Sequence, residues 1–205
     1  MIEDIVAVVV IGYRSPGWSC PRDPIQREQF YAVLREMGYY YSSSVVPAPF
    51  IGMGGHPAMP YRTTGGIWEF PLPVFRLPFI SCNLERYAKD GQCLSRDVAW
   101  WRSVAFPYSG GLFMRCLGTR ISKMMLSYHL KKRGYAMVYA HPGELGGWDA
   151  QWIRSLDDRY LNLGERWRLG FRSRHFGKHF QRLISEYGGC SVQQFLATLP
   201  PTSKV

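Results

Sequence analysis

The sequence lacks a C-x-x-C pair, and its 5 cysteines (Cys20, Cys82, Cys93, Cys116 and Cys190) are odd in number. That argues against a structural zinc site and a disulfide framework, and it points to a reducing compartment. Neither G-x-G-x-x-G nor G-x-x-x-x-G-K-[ST] occurs, so nothing signals a dinucleotide fold or a P-loop. Also missing are the nucleophile elbow G-x-S-x-G and the zinc-protease signature H-E-x-x-H. No apolar run approaches the roughly 20 residues of a membrane helix. The N-terminus carries Glu3 and Asp4 without a basic leader, so no signal peptide is read there and a cytoplasmic location is expected. Internal repeats and low-complexity tracts are absent too.

Acidic residues are scarce. Against 25 Lys and Arg stand 15 Asp and Glu, a net charge of +10. Such a chain attracts nucleic acid, anionic membranes and acidic polysaccharides alike. Much of the excess lies in "RWRLGFRSRHFGKHFQR", Arg166 to Arg182. No nucleic-acid fold signature accompanies it, so nucleic acid is not the expected partner. Hydrophobic residues at 46% and charged ones at 20% give an ordered globular chain, read as a single domain over 1–205. Aromatics are abundant, with 7 Trp and 13 Tyr; they fill cores or line grooves that bind sugars.

Ile5 to Ile11 is a β-branched run, the pattern of a strand buried on both faces. Pro24 opens a helix whose apolar positions Phe30, Val33, Leu34 and Met37 recur at helical spacing, with Gly38 as its stop. Tyr39 to Val46 reads as a strand, which completes a β-α-β unit and favours a parallel sheet. A Gly- and Pro-rich loop runs from Pro47 to Gly66. Ile67 to Phe75 reads as a strand whose prolines mark an edge or a strand end. After an unassigned stretch to about Arg102, a helix is expected from about Leu117 to Arg133, ended by Gly134. Tyr135 to Ala140 reads as a second buried strand, stopped by His141-Pro142. A basic amphipathic helix is expected near Gly164 to Tyr187, and a short one near Val192 to Leu199.

Arg14 and His141 each follow a strand-like run and precede a proline by one or two positions. Reacting groups gather at the carboxyl ends of parallel strands, which makes both residues candidates. A lone histidine is as readily a cap or a core residue. His175 and His179 share a helical face, yet Arg174 and Lys178 flank them and no glutamate lies between, so they read as a solvated basic face rather than a metal site. The glycine pairs read as turns, with Ser109, Gly110 and Gly111 a candidate backbone lining for a ligand.

Taken in order, "VIGYRSPGWS", "GYYYSSSVVP", "WEFPLPVFRL", "PYSGGLFMRCL" and "YAMVYAHPGEL" resemble the polysaccharide deacetylase family, the NodB-homology carbohydrate esterases. The likeness is greatest to the subgroup linked to bacterial exopolysaccharide clusters, and it covers about Val9 to Gln181. It implies a distorted (β/α) barrel and metal-dependent hydrolysis of N-acetyl groups on a polysaccharide. In that family an aspartate is the general base, and an aspartate with two histidines holds a divalent, zinc-type metal. By the same resemblance Arg14, in "GYRSP", orients the base; His141, in "YAH", is the general acid that protonates the leaving amine; and Trp18 joins Ser109, Gly110 and Gly111 as substrate-binding residues. Tyr139 stands where the family has leucine, and Gly143 where the subgroup often has tryptophan.

The family's Thr-Phe-Asp-Asp and His-[Ser/Thr]-x-x-His motifs are expected upstream of Arg14. Only 13 residues precede it, none of them histidine. His175–His179 matches the second spacing but follows His141, with Phe176 at the Ser/Thr position, and is not taken as a substitute. The chain therefore reads as the C-terminal two thirds of a deacetylase domain, a barrel incomplete at its N-terminal side, with no metal ligand assigned. Its alternative reading is a non-catalytic remnant that binds carbohydrate or a partner chain covering the open sheet edge.

Overall fold

The computed structural model describes residues 9–48, 52–53, 56–76, 105–146 and 162–198. They form a mixed α/β structure in which about half the residues are helical. The chain divides into two compact units, Met1–Ala140 and His141–Val205.

The first unit is built on β1 (Gly12–Tyr13), α1 (Pro24–Glu36) and β2 (Tyr41–Ser42). Asp23 caps α1 by accepting from the Gln26 N–H at 2.9 Å, Pro24 supplies the first helical φ, and Gly38 (φ 86°) turns the chain out. Tyr31 and Leu34 face inward onto Cys20, Val45, Met53 and Ile67. β1 and β2 pair in parallel, Gly12 with Tyr41 and Tyr13 with Ser42. The β-α-β unit expected from the sequence is present.

The first strand lies later than expected. Residues 5–8 fall outside the described residues, while 9–11 are not in a strand and Val9 is 77% exposed. The reason lies in the partner. The Tyr39 N–H closes the end of α1 on the Leu34 carbonyl at 2.9 Å, and only from Tyr40, whose N–H donates to the Ile11 carbonyl at 2.8 Å, does the partner meet this segment, so residue pairing starts at Gly12 and Tyr41.

Two further strands complete the sheet: β3 (Tyr61–Arg62) and β4 (Trp68–Glu69). Its order is β1-β2-β4-β3, with β4 parallel to β2 and antiparallel to β3. The sheet is small, mixed and open, and no closed barrel forms among the described residues. The Ile67–Phe75 run is not one strand. Pro71 and Pro73 lie in an extended break, after which β5 (Val74–Arg76) leaves for a two-stranded antiparallel sheet with β6 (Ala105–Pro107). β4 is interior, so the prolines mark a strand end and not an edge.

Past Val45, successive residues face opposite ways. Val45 enters the first core cluster; Val46 enters a second, with Ala48, Ala58, Leu72, Val74 and Ala105. α2 (Gly111–Arg133) begins earlier than the sequence suggested and is broken at Gly118 (φ 77°, ψ 165°), close to the predicted start. Its end is as expected, with Gly134 at φ 67° and its N–H on the Leu130 carbonyl. Tyr135 to Ala140 is not a strand; Tyr139 alone pairs, in parallel, with Gly110.

The second unit holds α3 (Pro142–Gly146), α4 (Leu163–Gly170), α5 (Phe176–Tyr187) and α6 (Val192–Thr198). The single basic helix expected near Gly164 to Tyr187 is two helices. Phe171 turns extended, Arg172 takes φ 48°, and the Ser173 hydroxyl donates to the Gly170 carbonyl at 3.2 Å. A Cβ at Gly177 would strike the Leu145 carbonyl, so this glycine lets α5 approach α3. Among the described residues no helix is long and apolar enough to cross a membrane.

Two glycines are required by tyrosine rings lying on them. A Cβ on Gly12 would meet the Tyr41 ring, and one on Gly110 would meet the Tyr139 ring. Gly12→Ala and Gly110→Ala are each expected to lower stability by about 1–3 kcal/mol, as overpacking does, read by urea denaturation. Unchanged midpoints would show that the rings swing aside at no cost.

Candidate functional site

The carboxyl ends of β1, β2 and β4 converge on three consecutive buried serines. The Ser42 hydroxyl donates to the Ser44 hydroxyl oxygen at 2.9 Å, which also accepts from the Ser15 N–H at 2.9 Å. The Ser43 hydroxyl donates to the Phe70 carbonyl at 2.8 Å, and its N–H to the Tyr13 carbonyl at 2.9 Å. This segment joins all three strand ends.

Glu69 lies beneath it, fully buried. One carboxylate oxygen accepts the N–H groups of Ser44 (2.8 Å) and Val45 (3.0 Å); the other accepts the Tyr31 hydroxyl at 3.1 Å. Burial pushes the Glu69 pKa up, while hydrogen bonds from the Val45 and Ser44 N–H groups and the Tyr31 hydroxyl oppose the rise. Burial and the field of Glu69 raise the Tyr31 and Tyr61 phenols well above their usual values. The nearby Cys20 thiol is pushed up to about 11 by burial and then by Glu69, so it stays protonated and is no nucleophile at neutral pH.

Arg14 lies on the other side of the serine segment. Its Nε donates to the Ser43 carbonyl at 3.1 Å and its Nη2 to the Ser43 hydroxyl at 2.8 Å, with Met137 Sδ at 3.7 Å. Its Cζ is 4.9 Å from the Trp18 ring and 4.9 Å from the Tyr139 ring. Those rings are 5.2 Å apart at 72°, so they form an aromatic corner that holds the guanidinium. Partial burial pulls the Arg14 pKa below its ordinary value, and the nearby Glu69 carboxyl acts the other way. The group remains cationic at physiological pH.

Four of the residues singled out in the sequence thus meet around Tyr139. Arg14 and Trp18 touch its ring, Gly110 pairs with it, and the Ser109 carbonyl accepts its N–H at 3.1 Å. Gly111 is the buried first residue of α2. The sequence reading missed Tyr139 itself, the serine segment and Glu69. A signal existed for Glu69, as the only charge within the apolar run from Ile67 to Phe75.

His141 opens the second unit. Its backbone N–H donates to Glu144 Oε2 at 2.9 Å, and its ring Nδ1 lies 3.1 Å from the same oxygen. Glu144 is buried, whereas the His141 side chain is 68% exposed. With Pro142 following and the Glu144 N–H on the His141 carbonyl, this is a helix-capping arrangement that also fixes the imidazole. His175 stands at the start of α5 and His179 one turn on. Among the described residues no group of three or more His, Cys, Asp or Glu side chains could hold a metal. The metal that the resemblance implies therefore finds no fitting ligand set among them.

Comparison with protein-family models, curated proteins and solved structures finds no match to this chain.

Glu69→Ala is expected to destabilise by at least about 3 kcal/mol, because two N–H groups and a hydroxyl lose their buried acceptor at about 1–3 kcal/mol each. Glu69→Gln, which keeps an acceptor, is expected to cost much less in the same urea titration. Equal losses would mean that the charge, and not the acceptor geometry, matters.

Acid should weaken the fold. Burial, followed by neighbouring Arg and Lys charges, holds His56 and His129 down to about 4. The folded chain keeps both neutral while the unfolded chain binds protons near 6.5, so stability present above pH 6.5 falls as pH drops toward 4. Neither His129 ring nitrogen has a hydrogen-bond partner, and the ring stacks on Tyr108 at 5.3 Å. His129→Phe should retain more of its melting temperature between pH 6.5 and 4 than the wild type. Parallel curves would exclude His129 as a contributor.

Proposed function

We propose that this chain is a polysaccharide-deacetylase-like protein directed at polysaccharides with N-acetylated sugars, and that its sheet is one arc of a distorted (β/α) barrel. One observation carries the reading. "GYRSP" and "YAH", distant in sequence and both members of the resembling set, supply Arg14 and Tyr139, whose guanidinium and ring are in contact at the carboxyl end of β1. Strand ends of this kind are where substrate sites form in α/β folds. His141, held by Glu144, is the proposed proton donor to the leaving amine, and Arg14 the proposed positioning residue for a carboxylate. Trp18, Ser109, Gly110 and Gly111 are the proposed substrate-facing residues.

The family reaction draws carbonyl polarisation and an activated water from its metal. The described residues do not fit that metal, so no step through it is assigned to them. A second reading, a carbohydrate-binding chain without catalysis, is supported by the aromatic corner at Arg14. Cys20, Cys116 and Cys190 are free thiols, in keeping with a reducing, cytoplasmic location. β1 ends the strand order among the described residues, and a partner chain is proposed to cover that edge.

The test is acetate release from N-acetylglucosamine oligomers by the full chain, with and without added zinc, alongside calorimetric binding. Deacetylase action predicts zinc-dependent release, with His141→Ala lowering kcat by about 100-fold or more, the usual contribution of a general acid. Binding without release selects the second reading. Neither binding nor release removes both.

A further inference from the structure

We infer that Arg14 receives a carboxylate from the ligand, and that the polysaccharide recognised here carries acidic, uronate-type sugars. The sugar class rests on the second, carbohydrate-binding reading above, in which no base carboxylate occupies Arg14; the anion site rests on the geometry alone.

A guanidinium has five N–H donors in a planar fork. Arg14 commits its Nε and one Nη2 hydrogen to Ser43, and its remaining contact, to Met137 Sδ at 3.7 Å, is weak. Among the described residues Nη1 donates to nothing and no carboxylate forms an ion pair with Arg14. The residue as a whole is nonetheless exposed. The Glu69 carboxyl is occupied by Ser44, Val45 and Tyr31.

The backbone supports the site at a cost. Gly17 (φ 59°) and Trp18 (φ 61°) are left-handed in succession. Glycine takes that conformation freely, whereas tryptophan adopts it only under strain. The strained turn places the indole against the guanidinium and against Tyr139. The outcome is a cation with fixed orientation, partly desolvated, flanked by two rings and with donors to spare. A planar fork of this kind matches a carboxylate two-to-two. A net charge of +10 favours approach of a polyanion.

The experiment is isothermal titration of the full chain at low salt with glucuronate, acetate, inorganic phosphate and neutral N-acetylglucosamine oligomers. Glucuronate is expected to bind, and Arg14→Gln to weaken it at least about tenfold, the loss expected for charge-assisted hydrogen bonds. Trp18→Ala, which leaves the Arg14–Ser43 bonds in place, is expected to weaken glucuronate several-fold with a wild-type circular dichroism spectrum; it keeps the test decisive if Arg14→Gln does not fold. Neutral oligomers binding without glucuronate would overturn this inference and leave the polysaccharide reading standing. Glucuronate and acetate binding in an Arg14-dependent way without any oligomer would uphold the anion site and defeat that reading. Phosphate displacing glucuronate at equal concentration would overturn the carboxylate assignment, as would binding unaffected by both variants.

Discussion

The first unit depends on a buried carboxylate meeting a chain segment that has left its strand. Past Tyr41–Ser42 the ladder ends, and the N–H groups of Ser44 and Val45 would be buried without acceptors. Glu69, at the end of the neighbouring strand, accepts both and takes the Tyr31 hydroxyl from α1 as well. Burying a charge is costly unless hydrogen bonds surround it. Here the donors come from the two elements that must be joined, so one side chain links strand, strand exit and helix. The two core clusters diverge at this point, with Val45 on one side and Val46 on the other.

The Arg14 site follows from that arrangement. Because Glu69 fixes the backbone of Ser44 and Val45, the Ser43 carbonyl and hydroxyl have fixed positions, and Arg14 is oriented by them. Trp18 and Tyr139 then close two directions around the cation. Each layer positions the next: carboxylate, serine segment, guanidinium, aromatic corner. The strain at Trp18 and the close fit of Tyr139 over Gly110 lie in the outermost layer.

In the second unit the local chemistry of "HPGEL" explains both His141 and Glu144. A buried glutamate three residues into a helix accepts the N–H of the residue before it, and here the same oxygen also meets that residue's imidazole. One contact caps a short helix and orients a histidine. Capping alone would require neither a ring at position 141 nor its exposure.

Local rules made the β-α-β unit, the Asp23–Pro24 start of α1, the Gly38 and Gly134 stops and the final short helix legible, because caps, turns and helical periodicity act over a few residues. Arg14, Trp18, Ser109 and Gly110 stood out in the sequence as residues at strand ends and turns. It could not show that they surround Tyr139, since that depends on contacts between distant segments. Over residues 9–11 it expected strand where none is, because the partner's Tyr39 N–H is taken by α1 and pairing starts only at Gly12 and Tyr41. It read Ile67 to Phe75 as one strand because apolar alternation continues through prolines that in fact send β4 and β5 into different sheets. The roles of Glu69 and the three serines were decided by the tertiary structure alone: a buried donor selects whichever acceptor the folded chain brings within 3 Å, and sequence distance has no part in that choice.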